Sequence, residues 1–352
     1  MEAVTQRKDL PHEVACRVRN QPAHGDGSHQ GPTAVRTGQV KLSHIVQPKL
    51  WDQAIKELLR KPFRATGIDA MTVREFANLL QADGDRFRWE VRSGSYQWSP
   101  TRKTRIPKRD GGRRELSLPT IKDKFLLVVI EKVLGPYWET RFSDHSYGFR
   151  PDRNCRQAIE KAREYFRGGY QFVTEIDLER FFDRVRQGHV LKLLEPKVNT
   201  PLLKLLRDGL RAHCPTGIGL GQGSPLSPFL ANVVLDQLDK RLEGRGSLFV
   251  RYADDITIFS RSEKAGNNVR HWVTKYLEKE LHLPVNCDKT KTVHYTKCKI
   301  LGFNFTEEME PKPNPIAIRK LEEKILMLIG EGRDIRSLIK GWENYYLTPY
   351  NI

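Results

Sequence analysis

The sequence predicts an α+β fold in which antiparallel strands carry the candidate functional carboxylates. Two β-rich stretches, LFVRY and ITIFS, flank the pair Asp254-Asp255 without glycine or proline, a pattern typical of a β-hairpin with carboxylates at its tip. A third apolar stretch, from Phe172 to Ile176, ends at Asp177 and runs into a turn and a helix. Segments with helical periodicity surround these strands. The 352 residues suffice for two or three subdomains that share a core.

The composition indicates a protein that binds a polyanion. Lysine and arginine number 60 against 43 acidic residues, so the net charge is +17. Such an excess favours nucleic acid over a membrane surface, because clustered cations gain affinity by releasing phosphate counterions. A hydrophobic content of 38%, with 15 phenylalanines, 11 tyrosines and 6 tryptophans, excludes a wholly disordered chain.

The sequence also predicts a cytoplasmic protein that does not bind membranes. No apolar run approaches the roughly 18 residues that a bilayer crossing requires. The N-terminal stretch MEAVTQRKDLPHEVACRVRN lacks the apolar core of a signal peptide. The 5 cysteines lie far apart, and none has the spacing of a zinc site, so we expect reduced thiols.

An N-terminal tail and a first helix are expected before the strands. Residues 1–44 are rich in glycine, proline, histidine and glutamine and show no lasting period, which predicts a mobile tail. A helix that begins near Trp51 would place Trp51, Ile55, Leu58 and Leu59 on one apolar face. We expect the helix to pack against the protein core through this face.

Three more helices are predicted in the N-terminal half. The stretch MTVREFANLL indicates a helix with Thr72 as its N-cap. Residues 123–137, DKFLLVVIEKVLGPY, predict a buried helix that ends at Gly135-Pro136. Residues 154–166 predict a further helix just before the first apolar strand.

A basic segment from Arg102 to Arg114 predicts a hairpin that binds phosphate. Its sequence, RKTRIPKRDGGRR, holds seven basic residues and one acid. The central RDGG favours a tight turn, because Asp-Gly and Gly-Gly tolerate positive φ. Charges on two extended arms also protect a sheet edge from aggregation, but seven exceed what that purpose needs. We therefore interpret the segment as a flexible finger that contacts phosphate.

Asp177, Asp254 and Asp255 are the candidate catalytic residues and metal ligands. Neighbouring carboxylates in a sheet repel and lose hydration, so they stay ionised with cations nearby, and a divalent metal is the usual one. An exposed turn alone would explain Asp-Asp, but not the β-rich flanks or the other strand that ends in aspartate. Three aspartates on two adjacent strands suit a pair of Mg²⁺ ions roughly 3.5–4 Å apart, with Mn²⁺ as a substitute.

A glycine-rich loop lies between the two carboxylate segments. In TGIGLGQGSPLSPFLANVVLD, glycines alternate from Gly217 to Gly223, which lets the backbone approach a ligand closely. Ser224 is expected to cap the following helix, with Pro225 at its first position. A loop that leads to a helix N-terminus in this way can accept a phosphate or a base.

These segments resemble, in the same order, the motifs of reverse transcriptases encoded by bacterial group II introns and their free-standing relatives. The resemblance covers about residues 50–346 and rests on IPKRDGGRRELSLPT, HSYGFRPDRNCRQAI, EIDLERFFDRV, GQGSPLSPFLANVVLD, FVRYADDITIF, VNCDKTK, ILGF and GWENYY. It implies a right-hand polymerase in the bacterial cytoplasm. Helices and fingers would occupy residues 45–166, the palm 167–306 and a short helical thumb 307–352.

The activity that the resemblance implies is RNA-directed DNA synthesis from dNTPs at a primer 3′-hydroxyl. Asp177, Asp254 and Asp255 would hold the two catalytic metals, with the backbone carbonyl of Leu178 as a further ligand. Phe182 resembles the steric gate that excludes a ribose 2′-hydroxyl. The partners implied are an RNA template, a DNA primer or cDNA, and dNTPs.

Other residues are implied to bind the nucleotide and the nucleic acid. Lys108 and Arg114 resemble the fingers cations that hold the triphosphate, and Arg113 is an alternative to Arg114 because the register within GGRR is open. Gln222 would lie beside the incoming nucleotide, and Lys289 would approach the site from the palm. The residues expected to contact template or primer are Arg102, Lys103, Arg105, Arg150, Gly302 and Phe303.

The chain also departs from the intron enzymes. RELSLPT stands where they usually have RPLGIPT, and GIGLGQG replaces GTPQG or GLPQG. The sequence ends shortly after GWENYY, so the long thumb, DNA-binding region and HNH nuclease are expected to be absent or curtailed. This organisation suits a domesticated enzyme in antiviral defence, CRISPR spacer acquisition or an intron-like element.

Two other functions remain open at this point. One is a maturase-like scaffold that binds RNA without polymerising, and the other is protein-primed or untemplated DNA synthesis. The short thumb also suggests that a structured noncoding RNA, a protein partner or self-association completes the duplex clamp.

Overall fold

The computed structural model describes residues 38–60, 65–107 and 112–347. Most of the predicted tail, residues 1–37, therefore lies outside the described residues. The same holds for Lys108. The elements below are confined to the three described ranges.

The end of the predicted tail belongs to the folded core. Val40 is fully buried, and its N–H donates to the Lys197 carbonyl over 2.7 Å. Leu42 is also buried. The tail prediction is therefore wrong for residues 40–44, because two apolar side chains gain burial there.

Helices make up most of the described chain. None of the helices in the described residues has the length and apolar character that a bilayer crossing needs. Their bounds are α1 (Leu42–Ile45), α2 (Pro48–Arg60), α3 (Val73–Ser93), α4 (Ile121–Glu139), α5 (Cys155–Arg167), α6 (Phe181–Arg184), α7 (Gln187–Leu194), α8 (Thr200–His213), α9 (Ser227–Glu243), α10 (Glu263–Lys279), α11 (Pro315–Gly330) and α12 (Arg336–Tyr346).

The strands form three antiparallel sheets, which confirms the α+β class. Their bounds are β1 (Arg102–Pro107), β2 (Arg113–Leu118), β3 (Phe172–Ile176), β4 (Leu248–Tyr252), β5 (Asp255–Ser260), β6 (Lys291–His294), β7 (Phe303–Phe305) and β8 (Pro311–Pro313). The pair β1-β2 is a separate hairpin, the central sheet has the order β4-β5-β3-β6, and β7-β8 is a short ribbon.

The central sheet is covered on both faces. Ile176, Ile256 and Ile258 join the larger apolar core, to which α9 and α10 contribute. Val173 and Phe259 join a second core that includes the apolar side of α5. Successive strand residues point to opposite faces, so both faces of this sheet are apolar and the ends of its strands are left to carry polar groups.

The predicted helix starts agree well with the structure. The Thr72 hydroxyl accepts from the Glu75 N–H over 3.2 Å, and the Glu75 carboxylate accepts from the Thr72 N–H over 2.8 Å. This reciprocal capping box confirms Thr72 as the N-cap of α3. On α2, Trp51 and Leu58 are buried as predicted, but Leu59 is 49% exposed. Leu59 lies about 100° around the helix from Leu58 and so faces solvent.

The predicted end of α4 is wrong. The helix continues through Gly135-Pro136 to Glu139. Trp138, beyond the proline, is buried and its ring meets Phe229 edge-on at 5.6 Å. Burial of this large side chain outweighs the single helical hydrogen bond that a proline removes.

The C-terminal helix is attached to the core through aromatic rings. Phe303 is 1% exposed, and its ring lies 5.8 Å from Tyr345 and 5.0 Å from Tyr346 of α12. The Tyr345 hydroxyl donates to the Leu301 carbonyl over 2.9 Å. The prediction that Phe303 contacts the primer is corrected, because its side chain packs inside the protein. A contact at the adjacent Gly302 stays a prediction.

Candidate active site

The register of β3 and β5 brings two of the candidate carboxylates together. Ile176 at the end of β3 pairs with Ile256 of β5 in an antiparallel ladder. The next position on each strand therefore places Asp177 opposite Asp255. The two residues lie 78 positions apart in the sequence, and the sheet makes them neighbours.

The third carboxylate lies in the turn of the β4-β5 hairpin. Tyr252 pairs with Asp255, which leaves Ala253 and Asp254 as the two-residue turn. Ala253 has a φ of 58°, in the left-handed region that non-glycine residues visit rarely. The predicted hairpin with carboxylates at its tip is confirmed, and its turn is strained.

The backbone of Asp177 is fixed by the segment after α10. Its N–H donates to the Thr290 hydroxyl over 3.1 Å, and its carbonyl accepts from the Asn286 N–H over 2.8 Å. Neither bond uses the Leu178 carbonyl, which was predicted as a metal ligand. That role stays a prediction that this geometry permits.

The hairpin carboxylates resist ionisation. Removal from water raises the pKa of Asp254, and the positive charge of Arg114 offsets part of this increase. Desolvation by the surrounding protein, followed by repulsion from Asp254 and Asp177, raises the pKa of Asp255 to about 7, although solvent still reaches its side chain. Repulsion of this kind is relieved when a cation binds between the carboxylates.

The donor chemistry of the site fits a divalent cation. Carboxylate oxygens are the ligands that Mg²⁺ and Mn²⁺ favour. Across the described ranges, no three acidic, histidine or cysteine side chains converge closely enough to form a ready-made ion site. An ion would therefore have to draw the carboxylates together. The Lys289 ammonium nitrogen lies 3.8 Å from Asp177 Oδ2, so one positive charge already neighbours this carboxylate.

The raised pKa of Asp255 predicts that metal binding depends on pH. Because the folded-state pKa is about 7, Asp255 carries a proton below that pH, and the proton competes with the cation. We expect the half-saturating Mg²⁺ concentration for primer extension to rise roughly tenfold as the pH falls from about 8 to about 6. Saturating Mg²⁺ should restore most of the rate. A half-saturating concentration that does not change with pH would contradict this prediction.

The glycine-rich loop touches the base of the basic hairpin. All four alternating glycines from Gly217 to Gly223 have a φ between 72° and 105°. The Ser117 N–H of β2 donates to the Gln222 carbonyl over 2.7 Å. A Cβ at Gly223 would lie 3.2 Å from the Ser117 carbonyl oxygen, so both the conformation and the close approach favour glycine.

The helix after this loop begins later than predicted. α9 starts at Ser227, so the assignment of Ser224 as N-cap and Pro225 as first helical residue is wrong. A cap at Ser224 needs the N–H of residue 228 as the first helical donor, and Pro228 has none. Ser227 instead donates its hydroxyl to the Gly221 carbonyl over 2.9 Å and holds the loop in place.

The loop also contacts the segment that follows β3. The Leu220 N–H donates to the Phe182 carbonyl over 2.9 Å, and Gln222 Nε2 lies 3.4 Å from Asp183 Oδ1. Phe182 is half-buried, whereas the adjacent Phe181 is only 2% exposed. The predicted residues Phe182 and Gln222 therefore lie near each other, and Phe182 keeps part of its ring outside the core.

The basic hairpin has the predicted two arms, and its turn lies outside the described residues. Arg113 and Arg114 are consecutive in β2, so their side chains point to opposite faces of the hairpin. Both are exposed. The positive charge of Arg114, like that of Arg251, lowers the pKa of Asp254.

The predicted template contacts on β1 are exposed but already have polar neighbours. Lys103 and Arg105 lie 3.9 Å and 3.7 Å from the Glu115 carboxylate on β2. Arg102 donates through Nε to the Thr66 carbonyl over 2.9 Å. Ion pairs at such exposed positions are weak, so these cations remain able to exchange partners with a phosphate.

Arg150 does not have the predicted role. Its side chain is 3% exposed and forms an ion pair of 2.7 Å with Glu139. It also donates to the Ser143 and Ser146 carbonyls. The prediction of a nucleic-acid contact is corrected, because the N–H groups of this guanidinium donate to acceptors inside the protein.

A buried ion pair beneath the β4-β5 hairpin was not predicted from the sequence. Arg251 of β4 and Asp239 of α9 are both 0% exposed and lie 2.6 Å apart. A signal for it exists, because an arginine interrupts the apolar strand LFVRY and an aspartate follows Leu238 on the apolar side of α9. Buried charges of opposite sign are usually paired, so each predicts the other.

Comparisons with known proteins identify similar sequences and one matching family. A family model for reverse transcriptases, described as RNA-dependent DNA polymerases, matches residues 106–305, which is more than half of the chain. Protein YkfC of Escherichia coli (strain K12) is 28% identical over 305 residues, covering 72% of this chain and 79% of YkfC. The group II intron-encoded protein LtrA of Lactococcus lactis subsp. cremoris is 33% identical over 161 residues, covering 43% of this chain and 26% of LtrA.

A solved structure is also similar in part. A chain of a partial Cas6-RT-Cas1--Cas2 complex is 28% identical with a TM-score of 0.40, and the match covers 68% of this chain and 42% of that one. The segment matched by the family model contains Asp177, Asp254 and Asp255 together with the glycine-rich loop. The chain therefore belongs to the reverse transcriptase family of RNA-dependent DNA polymerases.

Proposed function

We propose that this chain extends a DNA primer on an RNA template by joining dNTPs to the primer 3′-hydroxyl, with two bound Mg²⁺ ions. The observation that carries the proposal is the register that places Asp177 opposite Asp255, with Asp254 in the adjoining turn. The net charge of +17 suits a protein that holds nucleic acid.

The carboxylates would bind and orient the metals. Asp177, Asp254 and Asp255 supply the side-chain oxygens, and the Leu178 carbonyl is a further candidate. When bound, the ions make the primer hydroxyl a better nucleophile and stabilise the charge on the leaving pyrophosphate. No protein residue forms a covalent bond with the nucleotide, so the chain contributes mainly by positioning and electrostatics.

The nucleotide is proposed to lie between the basic hairpin and the glycine-rich loop. The contact between Ser117 and Gln222 keeps these two elements together. Arg114 and Lys108 of the hairpin would grip the triphosphate, and Gln222 and Phe182 would contact the base and sugar. Lys289, close to Asp177, would approach from the other side.

The hairpin register leads to a comparison of two adjacent arginines. Replacement of Arg114 by alanine is expected to raise the KM for dNTP by about 10- to 100-fold, because a charge-assisted bond to phosphate is lost. Arg113→Ala is the matched control and should change KM far less, since its side chain points to the opposite face. Steady-state kinetics of both variants make the measurement. A larger effect at Arg113 would reverse the assignment.

The position of Phe182 predicts its effect on sugar selectivity. Phe182→Val should raise NTP incorporation relative to dNTP by about 10- to 200-fold, because the smaller side chain leaves room for a 2′-hydroxyl. The control is Phe172→Val, at the first position of β3 and away from Phe182 in α6, which should leave the ratio unchanged. The ratio of kcat/KM values for dNTP and NTP is the measurement. An unchanged ratio in Phe182→Val would exclude Phe182 as the gate.

Primer extension tests the proposed function directly. Purified protein would be incubated with Mg²⁺, a DNA primer annealed to RNA, and either single or mixed dNTPs, with a DNA template as the comparison. We expect incorporation of the nucleotide that the template specifies. Incorporation that ignores the template sequence would contradict the proposal and favour untemplated synthesis. Tight binding of a structured RNA without any incorporation would favour the maturase-like scaffold.

The biological setting is a separate proposal. We expect a role in antiviral defence, in spacer acquisition from RNA or in an intron-like element, with a structured RNA, a protein or a second copy completing the duplex clamp. Sequencing of the nucleic acid that copurifies identifies the template. The genes beside its own distinguish among the three settings.

A further inference from the structure

A buried ion pair lies next to the turn that carries Asp254. Arg251 and Asp239 are both 0% exposed. The guanidinium donates to the carboxylate through Nε over 2.8 Å and through Nη2 over 2.6 Å. A two-pronged contact fixes the orientation of the guanidinium as well as its charge. The third nitrogen, Nη1, is therefore held in a defined direction.

That nitrogen connects the ion pair to the turn. Arg251 Nη1 donates to the Ala253 carbonyl over 2.9 Å and to Asn232 Oδ1 over 2.8 Å. Asn232 in turn donates through Nδ2 to the Gly148 carbonyl over 2.9 Å. These bonds link the turn to α9 and to the segment that follows α4.

Gly148 touches the same turn directly. A Cβ at Gly148 would lie 2.2 Å from the Ala253 nitrogen and 2.9 Å from the Tyr252 carbonyl carbon. The Tyr147 N–H donates to the Arg251 carbonyl over 2.8 Å, which holds this segment against β4. The atoms in contact are backbone, so a side chain at Gly148 could be accommodated only if the turn moved.

The turn needs such support because its conformation is unfavourable. Ala253 occupies the left-handed region with a φ of 58°, although glycine would adopt that conformation at lower cost. A strained residue keeps its conformation only where the surrounding contacts over-determine it. Asp254 and Asp255 follow immediately, so any relaxation of Ala253 would change the separation of their carboxylates.

We propose that four residues fix the backbone of the Ala253-Asp254 turn, so that the carboxylates of Asp254 and Asp255 can close around a metal ion while the turn itself stays in place. We call them the turn clamp: Arg251, Asp239, Asn232 and Gly148. This inference rests on the proposed two-metal function. All four act through the turn as positioning residues and contact neither metal nor substrate.

The first test is the replacement Gly148→Ala, which pushes on the turn without breaking the ion pair. The matched control is Gly188→Ala, because a Cβ at Gly188 meets nothing within 4 Å. Mn²⁺ affinity would be titrated on the protein alone, without primer, template or nucleotide. We expect Gly148→Ala to bind Mn²⁺ about 10- to 100-fold more weakly than wild type, as is typical when residues that orient metal ligands are changed. Gly188→Ala should bind it like wild type.

A second pair of variants keeps the test valid if Gly148→Ala does not fold. Asn232→Ala removes the link between Arg251 and Gly148 but leaves the ion pair and the Ala253 bond. Gln237→Ala is its control, because Gln237 also lies on α9 and donates to the Val234 carbonyl away from the turn. We expect weaker Mn²⁺ binding in Asn232→Ala only. Thermal midpoints of all variants report on folding separately.

The outcomes separate the clamp from the proposed function. Weaker Mn²⁺ binding by the folded Gly148 or Asn232 variants, with unchanged controls, supports the clamp. Wild-type affinity in those variants, even with a lower thermal midpoint, overturns it and leaves the metal site intact. If wild type binds no Mn²⁺ and extends no primer, the two-metal function fails and the clamp fails with it.

Discussion

Replacement of Asp255 by asparagine is expected to lower the rate of primer extension by about 10³-fold or more, and Asp254→Asn should do the same. Asparagine keeps the size of the side chain but removes the negative charge that holds a divalent cation. A loss of about 10³-fold corresponds to about 4 kcal/mol of transition-state stabilisation, which is reasonable for the removal of a charged metal ligand. Initial rates at saturating Mg²⁺ and dNTP make the measurement.

The control for this loss is Asp208→Asn, which changes an exposed aspartate on α8. It should retain the wild-type rate. Primer extension that survives the double replacement of Asp254 and Asp255 would exclude both as catalytic metal ligands. It would also remove the main support for the two-metal proposal.

The same replacements should not weaken the fold. The pKa of Asp255 is raised to about 7, so above that pH the ionised carboxylate is less favourable in the folded state than in the unfolded one. Its contribution to stability is therefore present at low pH and lost as the pH rises through about 7. Asparagine removes this penalty, and Asp255→Asn should melt at or above the wild-type temperature at about pH 8. An inactive but stable variant distinguishes lost chemistry from lost structure.

The largest effect on stability is expected at Asp239. Replacement by alanine leaves the Arg251 guanidinium buried without its counter-charge, which should lower the free energy of unfolding by about 3–5 kcal/mol. Lys240→Ala is the control, because Lys240 is half-exposed and lies 3.5 Å from the Glu243 carboxylate on the same helix. Its effect should be within about 1 kcal/mol. Urea denaturation of both variants makes the measurement.

A double variant separates charge burial from packing. Arg251→Met with Asp239→Leu removes both charges and keeps apolar volume, so much of the lost stability should return. The bond to the Ala253 carbonyl would still be absent. If Asp239→Ala alone is as stable as the Lys240 control, the pair does not contribute to stability in the way proposed here.

Local patterns predicted the parts of the fold that depend on neighbouring residues. Thr72 and Glu75 form a capping box from four consecutive residues, and the flanks of Asp254-Asp255 are enough to define a hairpin. The predictions failed where distant packing decided the outcome. Trp138 extends α4 beyond Pro136 because Phe229, about 90 positions later, covers its ring.

In the candidate site, too, features set by neighbouring residues could be predicted and features set by distant packing could not. The three aspartates were identified because Asp177 follows a β-rich stretch and the pair Asp254-Asp255 lies between two more, which is visible in the sequence. The burial of Arg150 and Phe303 was not visible, because an arginine or a phenylalanine in a motif is equally suited to a surface contact or to the interior. Whether such a side chain is buried depends on its partners in the fold. Here the partners are Glu139 for Arg150 and Tyr346 for Phe303, and their sequence segments do not indicate these contacts.

The bond between Ser117 and Gln222 limits how the basic hairpin can bend. It joins the C-terminal end of β2 to the glycine-rich loop, so these two segments are held together. The paired strands extend away from this attachment point. We expect any bending of the hairpin to begin beyond Ser117, on the part of β2 that carries Arg114. A substitution that breaks this bond at Ser117 should therefore also displace Gln222 in the glycine-rich loop.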